Sequence, residues 1–200
     1  MQKNATRDKI LETVELLVNK KPIEKVTVSE ITNACSLTRQ TFYIHFIDKY
    51  DAINAVYLKD IEEGIAYFSY GKLGYGATIL FVLNLIRQKS VFYRNAFKSH
   101  GQNSLTSFMF HFNFCFHYIL QCHLHGTEHL DDSVTSIIRF WSYGATAFII
   151  NWVLEGMKTP DIELAEFLEN RAPENLRNNL SILKPEEWDK ILEELRSIKS

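Results

Sequence analysis

Apolar residues recur at three- and four-residue intervals along most of the chain, and that spacing predicts an all-α protein. Ile10, Leu11, Val14, Leu17 and Val18 make one stripe over residues 6–20, a first helix that ends where Pro22 disfavours helical backbone in the residue before it. Thr27-Val28-Ser29-Glu30 has the form of a capping box, in which hydroxyl and carboxylate each satisfy a free amide. It starts a second helix whose buried face is expected at Ile31 and Ala34. After a break at Cys35-Ser36-Leu37, Thr38 caps a third helix through Phe46, and Asp48 with Asp51 starts a fourth that runs to about Tyr67. Beyond Gly71 and Gly74 the pattern predicts helices at about 77–88, 90–97, 105–123 and 131–155, with another from Thr159-Pro160 to Arg171. An amphipathic tail follows around Trp188, Ile191, Leu192 and Leu195.

One stretch reads two ways. Phe108, Phe110, Phe112, Phe114 and Phe116 alternate strictly, as in a half-buried strand. No second β-rich run exists to pair with it. Wound as a helix, the same residues form two rows, Phe108/Phe112/Phe116 and Phe110/Phe114/Tyr118, which suits a central helix packed on two sides. The helical reading is preferred.

Three helices in the first fifty residues, with a three-residue turn between the second and third, form the arrangement that inserts a helix into a DNA major groove. The reading helix opens with Thr38, Arg39, Gln40 and Thr41. Arg grips guanine O6/N7, Gln grips adenine N6/N7, and Thr meets a base or a thymine methyl. Helix N-termini present free amides to phosphate, so Thr27 and Lys49 are expected as phosphate anchors. A three-helix bundle with no DNA role is the alternative, and the polar reading positions speak against it.

The run Val26-Thr27-Val28-Ser29-Glu30-Ile31 through Thr38-Arg39-Gln40-Thr41-Phe42-Tyr43-Ile44-His45-Phe46-Ile47-Asp48-Lys49 resembles the DNA-binding head of TetR-family regulators over residues 6–57. The resemblance implies that Tyr43, His45 and Lys49 touch the DNA backbone and that Phe42 and Phe46 belong to the head's core. Two positions depart from the family pattern. Ser36 replaces the turn glycine, where a left-handed backbone is favoured, and Gln40 replaces a small residue. The string Arg39-Gln40-Thr41-Phe42-Tyr43 is similar to a subgroup that includes regulators of dihydroxyacetone kinase operons. The organisation expected is a helix-turn-helix DNA-binding domain at 1–50, linked through helix 48–67 to a ligand-binding and dimerisation domain at 51–200.

Within 131–155 two apolar faces are expected. One runs through Val134, Ile137, Ile138, Trp141, Ala145, Phe148, Ile149 and Trp152, the other through Phe140, Gly144, Ala147 and Ile150. The resemblance implies that this helix and the next pair with their copies in a homodimer, as reading two half-sites requires. It also implies a pocket for a small-molecule effector, with Phe92, Tyr93, Phe112, Phe116, His117, Arg139 and Trp141 as its candidate lining. Most such residues are core in any helical protein, and they do not name the ligand.

Six of the seven His fall between His100 and His129, beside Cys115 and Cys122. His111, Cys115 and Cys122 share one helix face and carry zinc-ligand chemistry, which keeps a zinc-responsive regulator as an alternative, as it does control by a protein co-regulator. Cys115 and Cys122 are two turns apart, about 10.5 Å along the axis, so one ion would need a further ligand from another element. No Gly-rich phosphate loop, nucleophile elbow or HExxH occurs, which argues against an enzyme, and no cofactor is implied.

Charge adds little. Residues 1–50 hold eight Lys/Arg against six Asp/Glu in a chain of net charge −2, a mildly basic head on an acidic body. The N-terminus lacks a signal-peptide core, the apolar runs Thr78–Ile86 and Ala145–Leu154 are each about ten residues, and three Cys without a CxxC pair make no disulfide framework. A cytoplasmic protein that avoids membranes is expected.

Overall fold

The computed structural model describes residues 2–69, 74–99, 101, 103–177 and 183–198; Gly71 and His100 lie outside these. Among the described residues every regular element is helical. The elements are α1 (Gln2–Lys20), a 3₁₀ turn (Ile23–Lys25), α2 (Val28–Ala34), α3 (Arg39–His45), α4 (Lys49–Ser69), α5 (Tyr75–Gln88), α6 (Ser90–Phe97), α7 (Leu105–His125), α8 (Asp132–Leu154), α9 (Asp161–Arg171), α10 (Glu174–Arg177) and α11 (Pro185–Ser197). The alternating phenylalanines are helical, within α7.

The chain forms two compact units, one of residues 1–60 with 89–108, the other of 61–88 with 109–199. The first unit therefore takes in more than the leading fifty residues. α6 packs on α1, and α1 on α2. The core of this unit holds Ile10, Val14, Ile31, Phe42, Tyr57, Phe92, Tyr93 and Phe97, all nearly or fully buried. A polar cluster ties its helices together. Lys89 Nζ donates to Glu15 at 2.9 Å and to Asp60 at 2.7 Å, and the Tyr93 hydroxyl donates to Asp60 at 2.8 Å. Burial disfavours the Lys89 ammonium, but Asp60 and Glu15 outweigh it and raise its pKa. Burial, with Asp60 adding to it, raises the Tyr93 phenol well above its ordinary value.

In the second unit α5 packs on α9. Glu169 of α9 accepts the Gly76 amide at 3.1 Å, a carboxylate set on the positive end of α5. A Cβ at Gly76 would occupy the space of that carboxylate, so a larger residue there displaces the Glu169 side chain from the helix end. α8 ends at Gly156, at φ +91°, with the Met157 amide returning to the Trp152 carbonyl at 2.7 Å. Arg87 pairs with Asp161, donates to the Met157 and Thr159 carbonyls, and lies over the Trp152 ring. α11 buries Trp188, Ile191 and Leu195, as its amphipathic pattern predicts.

Four expectations change. Ala34 is exposed, and α2 buries Ile31 and Thr32 instead, the Thr32 hydroxyl returning to the Ser29 carbonyl. Pro160 stands at the cap position of α9 rather than inside its first turn. The buried stripe of α8 runs through Ile138, Ser142, Thr146, Ile150 and Val153, so two polar residues sit on its core side. Ile137 and Phe148 of the predicted buried stripe, and Phe140, are exposed. Finally, α8 carries an 18-residue stretch of mean hydropathy 1.2, long and apolar enough to cross a membrane by length and composition alone; 39% of that stretch is buried inside the protein.

Candidate nucleic-acid interface and buried polar cluster

α3 is seven residues long and is held at both ends. Thr38 caps it, its hydroxyl accepting the Thr41 amide at 3.1 Å and lying 2.8 Å from the Thr41 hydroxyl. At the other end the Phe46 amide returns to the Phe42 carbonyl. Phe42 and Phe46 are buried, with ring centroids 5.6 Å apart, and the Arg7 guanidinium lies over Phe46. With that face anchored, Arg39, Gln40, Tyr43 and Ile44 are left exposed on the other. Arg39 Nη2 lies 3.4 Å from the Tyr43 hydroxyl, so the two side chains share one side of the helix. Thr41 and His45 are half-buried.

The turn before α3 confirms the strain expected from its sequence. Ser36 has φ +54°, the left-handed region in which glycine is at home. The capping box is formed in full: Glu30 N–H donates to Thr27 Oγ1, and Thr27 N–H to the Glu30 carboxylate, both at 3.2 Å. Lys21 adds a 2.6 Å ion pair to Glu30, and that bond, with the Thr27 amide, lowers the Glu30 pKa. The Thr27 hydroxyl is thus engaged in its own helix cap.

Lys49 is placed differently from a free phosphate anchor. Its Nζ donates to the carbonyls of Ile23 at 2.9 Å, Glu24 at 3.1 Å and Val26 at 2.8 Å. An ammonium has three N–H groups, and three carbonyls take them. Partial burial lowers its pKa, with Glu24 and Asp48 opposing. α4 begins on Asp48, whose carboxylate accepts the Tyr50 and Asp51 amides at 2.8 Å, while Asp51 accepts the Ile47 amide.

The seven predicted pocket residues do not gather at one place. Phe92 and Tyr93 lie in the core of the first unit. Arg139 is exposed, 4.8 Å over the Phe114 ring. Phe112 is buried, and the Phe116 ring packs edge-on against His117. His117 and Trp141 are joined through Tyr75, which sequence reasoning passed over. His117 Nδ1 lies 2.8 Å from the Asn113 carbonyl, which only accepts, so Nδ1 carries the proton. Nε2 is then the acceptor for the Tyr75 O–H at 3.3 Å, and the Tyr75 oxygen accepts Trp141 Nε1–H at 2.8 Å. The Ser142 hydroxyl donates to the Asn113 carbonyl at 3.3 Å, and Asn113 Nδ2 donates to Thr146 at 2.7 Å.

Every donor in this chain faces an acceptor only while His117 is neutral. Burial, against the opposing Asn113 bond, pushes His117 down to about 4. Burial also pushes Tyr75 up to about 12, with Glu169 adding and the Trp141 bond opposing. No local pattern marks Tyr75, Ser142 or Thr146, because their partners lie on other helices.

Among the described residues no group of three or more His, Cys, Asp and Glu is placed to hold a metal ion. His111 and Cys115 are neighbours at 3.6 Å, while Cys122 turns to the Glu128 carbonyl. Burial raises both thiol pKa values, which disfavours the thiolates that zinc requires. A groove of about 450 Å³, lined by Tyr118, Cys122, His123, Glu128 and Glu194 among others, opens between the end of α7 and α11, and none of the predicted pocket residues lines it.

The first three helices, with a short turn between α2 and α3, have the helix-turn-helix arrangement. Residues 77–172 match the TetR-type family described as a transcriptional regulator C-terminal region. The matched stretch is just under half of the chain, and over it the chain is similar to the C-terminal regions of TetR-type transcription regulators. A TetR-family regulator from Streptomyces coelicolor is 14% identical over 97% of this chain and 89% of its own, with a TM-score of 0.56. A TetR regulator from Rhodococcus sp. RHA1 is 11% identical over 96% and 98%, with a TM-score of 0.55. At such identities the likeness establishes the fold alone. The dihydroxyacetone kinase operon activator DhaS, 17% identical over 98% of both chains, reaches a TM-score of 0.45, too loose to single out that subgroup. No curated protein matches the chain by sequence.

Proposed function

We propose that this protein is a cytoplasmic homodimer that binds a palindromic operator through α3 and releases or tightens its grip when a small molecule binds the second unit. The observation that carries the reading is the exposed face of α3. Arg39, Gln40 and Tyr43 stand on one side of a helix whose other side is fixed by Phe42 and Phe46. Arg39 and Gln40 supply base-reading chemistry; Tyr43, His45, Thr38 and Thr41 supply backbone contacts; Thr27 and Lys49 set the helices that present them. The exposed row Ile137, Phe140, Tyr143, Phe148 and Leu154 on α8, with Ile162 of α9, is the face for the second subunit. The effector site is the Tyr75–His117–Trp141 cluster with Phe116 beside it, an aromatic surround with a few directed polar groups.

The test is selection of bound duplexes from random DNA. Wild type is expected to enrich one inverted repeat, and Arg39→Ala to lose about 1–3 kcal/mol against it while binding mixed DNA nearly as before. If Arg39→Ala enriches the same repeat with unchanged affinity, the assignment of α3 as the reading helix fails.

A further inference from the structure

The reading face carries an apolar residue that the polar chemistry leaves unassigned. Ile44 is 63% exposed, one helical turn beyond Gln40 and next to Tyr43. At about 100° per residue, Arg39, Gln40, Tyr43 and Ile44 fall within an arc of about 140° on α3. Ile44 therefore belongs to the surface that meets the base edges. A β-branched side chain in a helix keeps essentially one rotamer, so its methyl groups are held in place.

Each base edge in the major groove presents hydrogen-bond donors and acceptors, with one apolar exception, the C5-methyl group of thymine. An isoleucine pressed onto donors and acceptors would strand them without partners, at a cost that thymine alone avoids. Burial of Ile44 by a second copy of the chain would put Arg39, Gln40 and Tyr43 into the same contact and leave them to be satisfied there. Resting on the DNA-binding reading above, we propose that Ile44 is a specificity-determining residue that reads a thymine in each operator half-site through its C5-methyl group. Ile44 stands about 6 Å along the α3 axis from Gln40, so the thymine is a different base pair from the one that Gln40 reads.

The experiment uses the duplex that the full-length wild type selects. Each thymine is replaced in turn by deoxyuridine, which removes the methyl group and leaves the Watson–Crick pair and the groove's donors and acceptors unchanged. Affinities are measured by fluorescence anisotropy for wild type, Ile44→Ala and Ile44→Val. At one thymine per half-site, wild type is expected to weaken about four-fold per uracil, the worth of one buried methyl. Ile44→Ala binds the thymine duplex more weakly and pays no further penalty for uracil there; Ile44→Val, which keeps the methyl contact, retains the penalty. The proposal is overturned if no uracil weakens wild type, or if Ile44→Ala keeps the full penalty at the same position. A wild type that selects no sequence at all overturns the DNA-binding reading itself, a distinct result.

Discussion

Lys49→Met separates two roles that a basic residue at a helix start can play. The substitution keeps most of the aliphatic stem and removes an ammonium whose three donors rest on the Ile23, Glu24 and Val26 carbonyls at 2.8–3.1 Å. The Ile23 carbonyl keeps the Val26 amide at 3.0 Å, and Glu24 is exposed, so water reaches its carbonyl. The Val26 carbonyl, in a fully buried residue, bears most of the loss. A hydrogen bond to a charged group is worth about 1.5–3 kcal/mol, and relief of the ammonium's desolvation offsets part of it, which leaves a net cost of about 2 kcal/mol. For a chain of this size that lowers Tm by about 4–8 °C. The same variant is titrated with the selected operator at several salt concentrations. Because the charge is spent inside the protein, the slope of log affinity against log salt is expected to stay within about 0.3 of wild type. Loss of a true phosphate contact lowers it by about 0.9. An unchanged Tm together with a slope reduced by about 0.9 would refute the internal role and restore Lys49 as a phosphate anchor.

Three other measurements follow from the geometry. His117 titrates at about 4 in the fold against 6.5 in the unfolded chain, so the unfolded state binds more protons between those values. Stability is then flat above about pH 6.5 and falls by about 3 kcal/mol on going down to pH 4; His117→Gln is expected to flatten that part of the curve, and an unchanged pH profile counts against the neutral network. Ser36→Gly relieves a left-handed backbone at φ +54° and is expected to raise Tm by up to about 4 °C, while Ser36→Val lowers it; the opposite order would show that the turn carries no strain. Lys89→Met leaves the Asp60 carboxylate with the Tyr93 hydroxyl but without its cation; a loss of about 2 kcal/mol in chemical denaturation is expected, and none if solvent already screens the pair.

What was legible in the sequence was local. The capping box at Thr27–Glu30, the Thr38 cap and the Asp48 start depend on residues two to four apart, and each forms as read. The phenylalanine row of α7 was ambiguous by period alone and was resolved by the lack of any strand to pair with. What escaped depends on distant partners. Ser142 and Thr146 sit on the buried side of α8 because Asn113, on another helix, offers a carbonyl to one and an amide to the other. Periodicity scores them as polar and turns that face outward. Lys49 fits a phosphate anchor by position, but the carbonyls that hold it come from a turn 23–26 residues earlier. Phe92 and Tyr93 look like pocket aromatics until α6 is found packed on α1.

That placement of α6 bears on how an effector could act. The chain crosses between its units inside α4 after Asp60, between α5 and α6 after Gln88, and inside α7 after Phe108. Within the first unit these crossing points are pinned. Asp60 and Lys89 face each other across a 2.7 Å ion pair, and the Phe108 ring stands edge-on to Tyr57, 6.2 Å between centroids. Two of the crossings, after Asp60 and after Phe108, fall inside helices. A side-chain rearrangement confined to the Tyr75–His117–Trp141 cluster would change nothing at the operator unless it moved α4, α5 or α7 as a body. An effector of the kind proposed would therefore have to bind two helix placements unequally, and its differential affinity would bound the regulation: about 1–3 kcal/mol of coupling gives roughly five- to 150-fold in operator affinity.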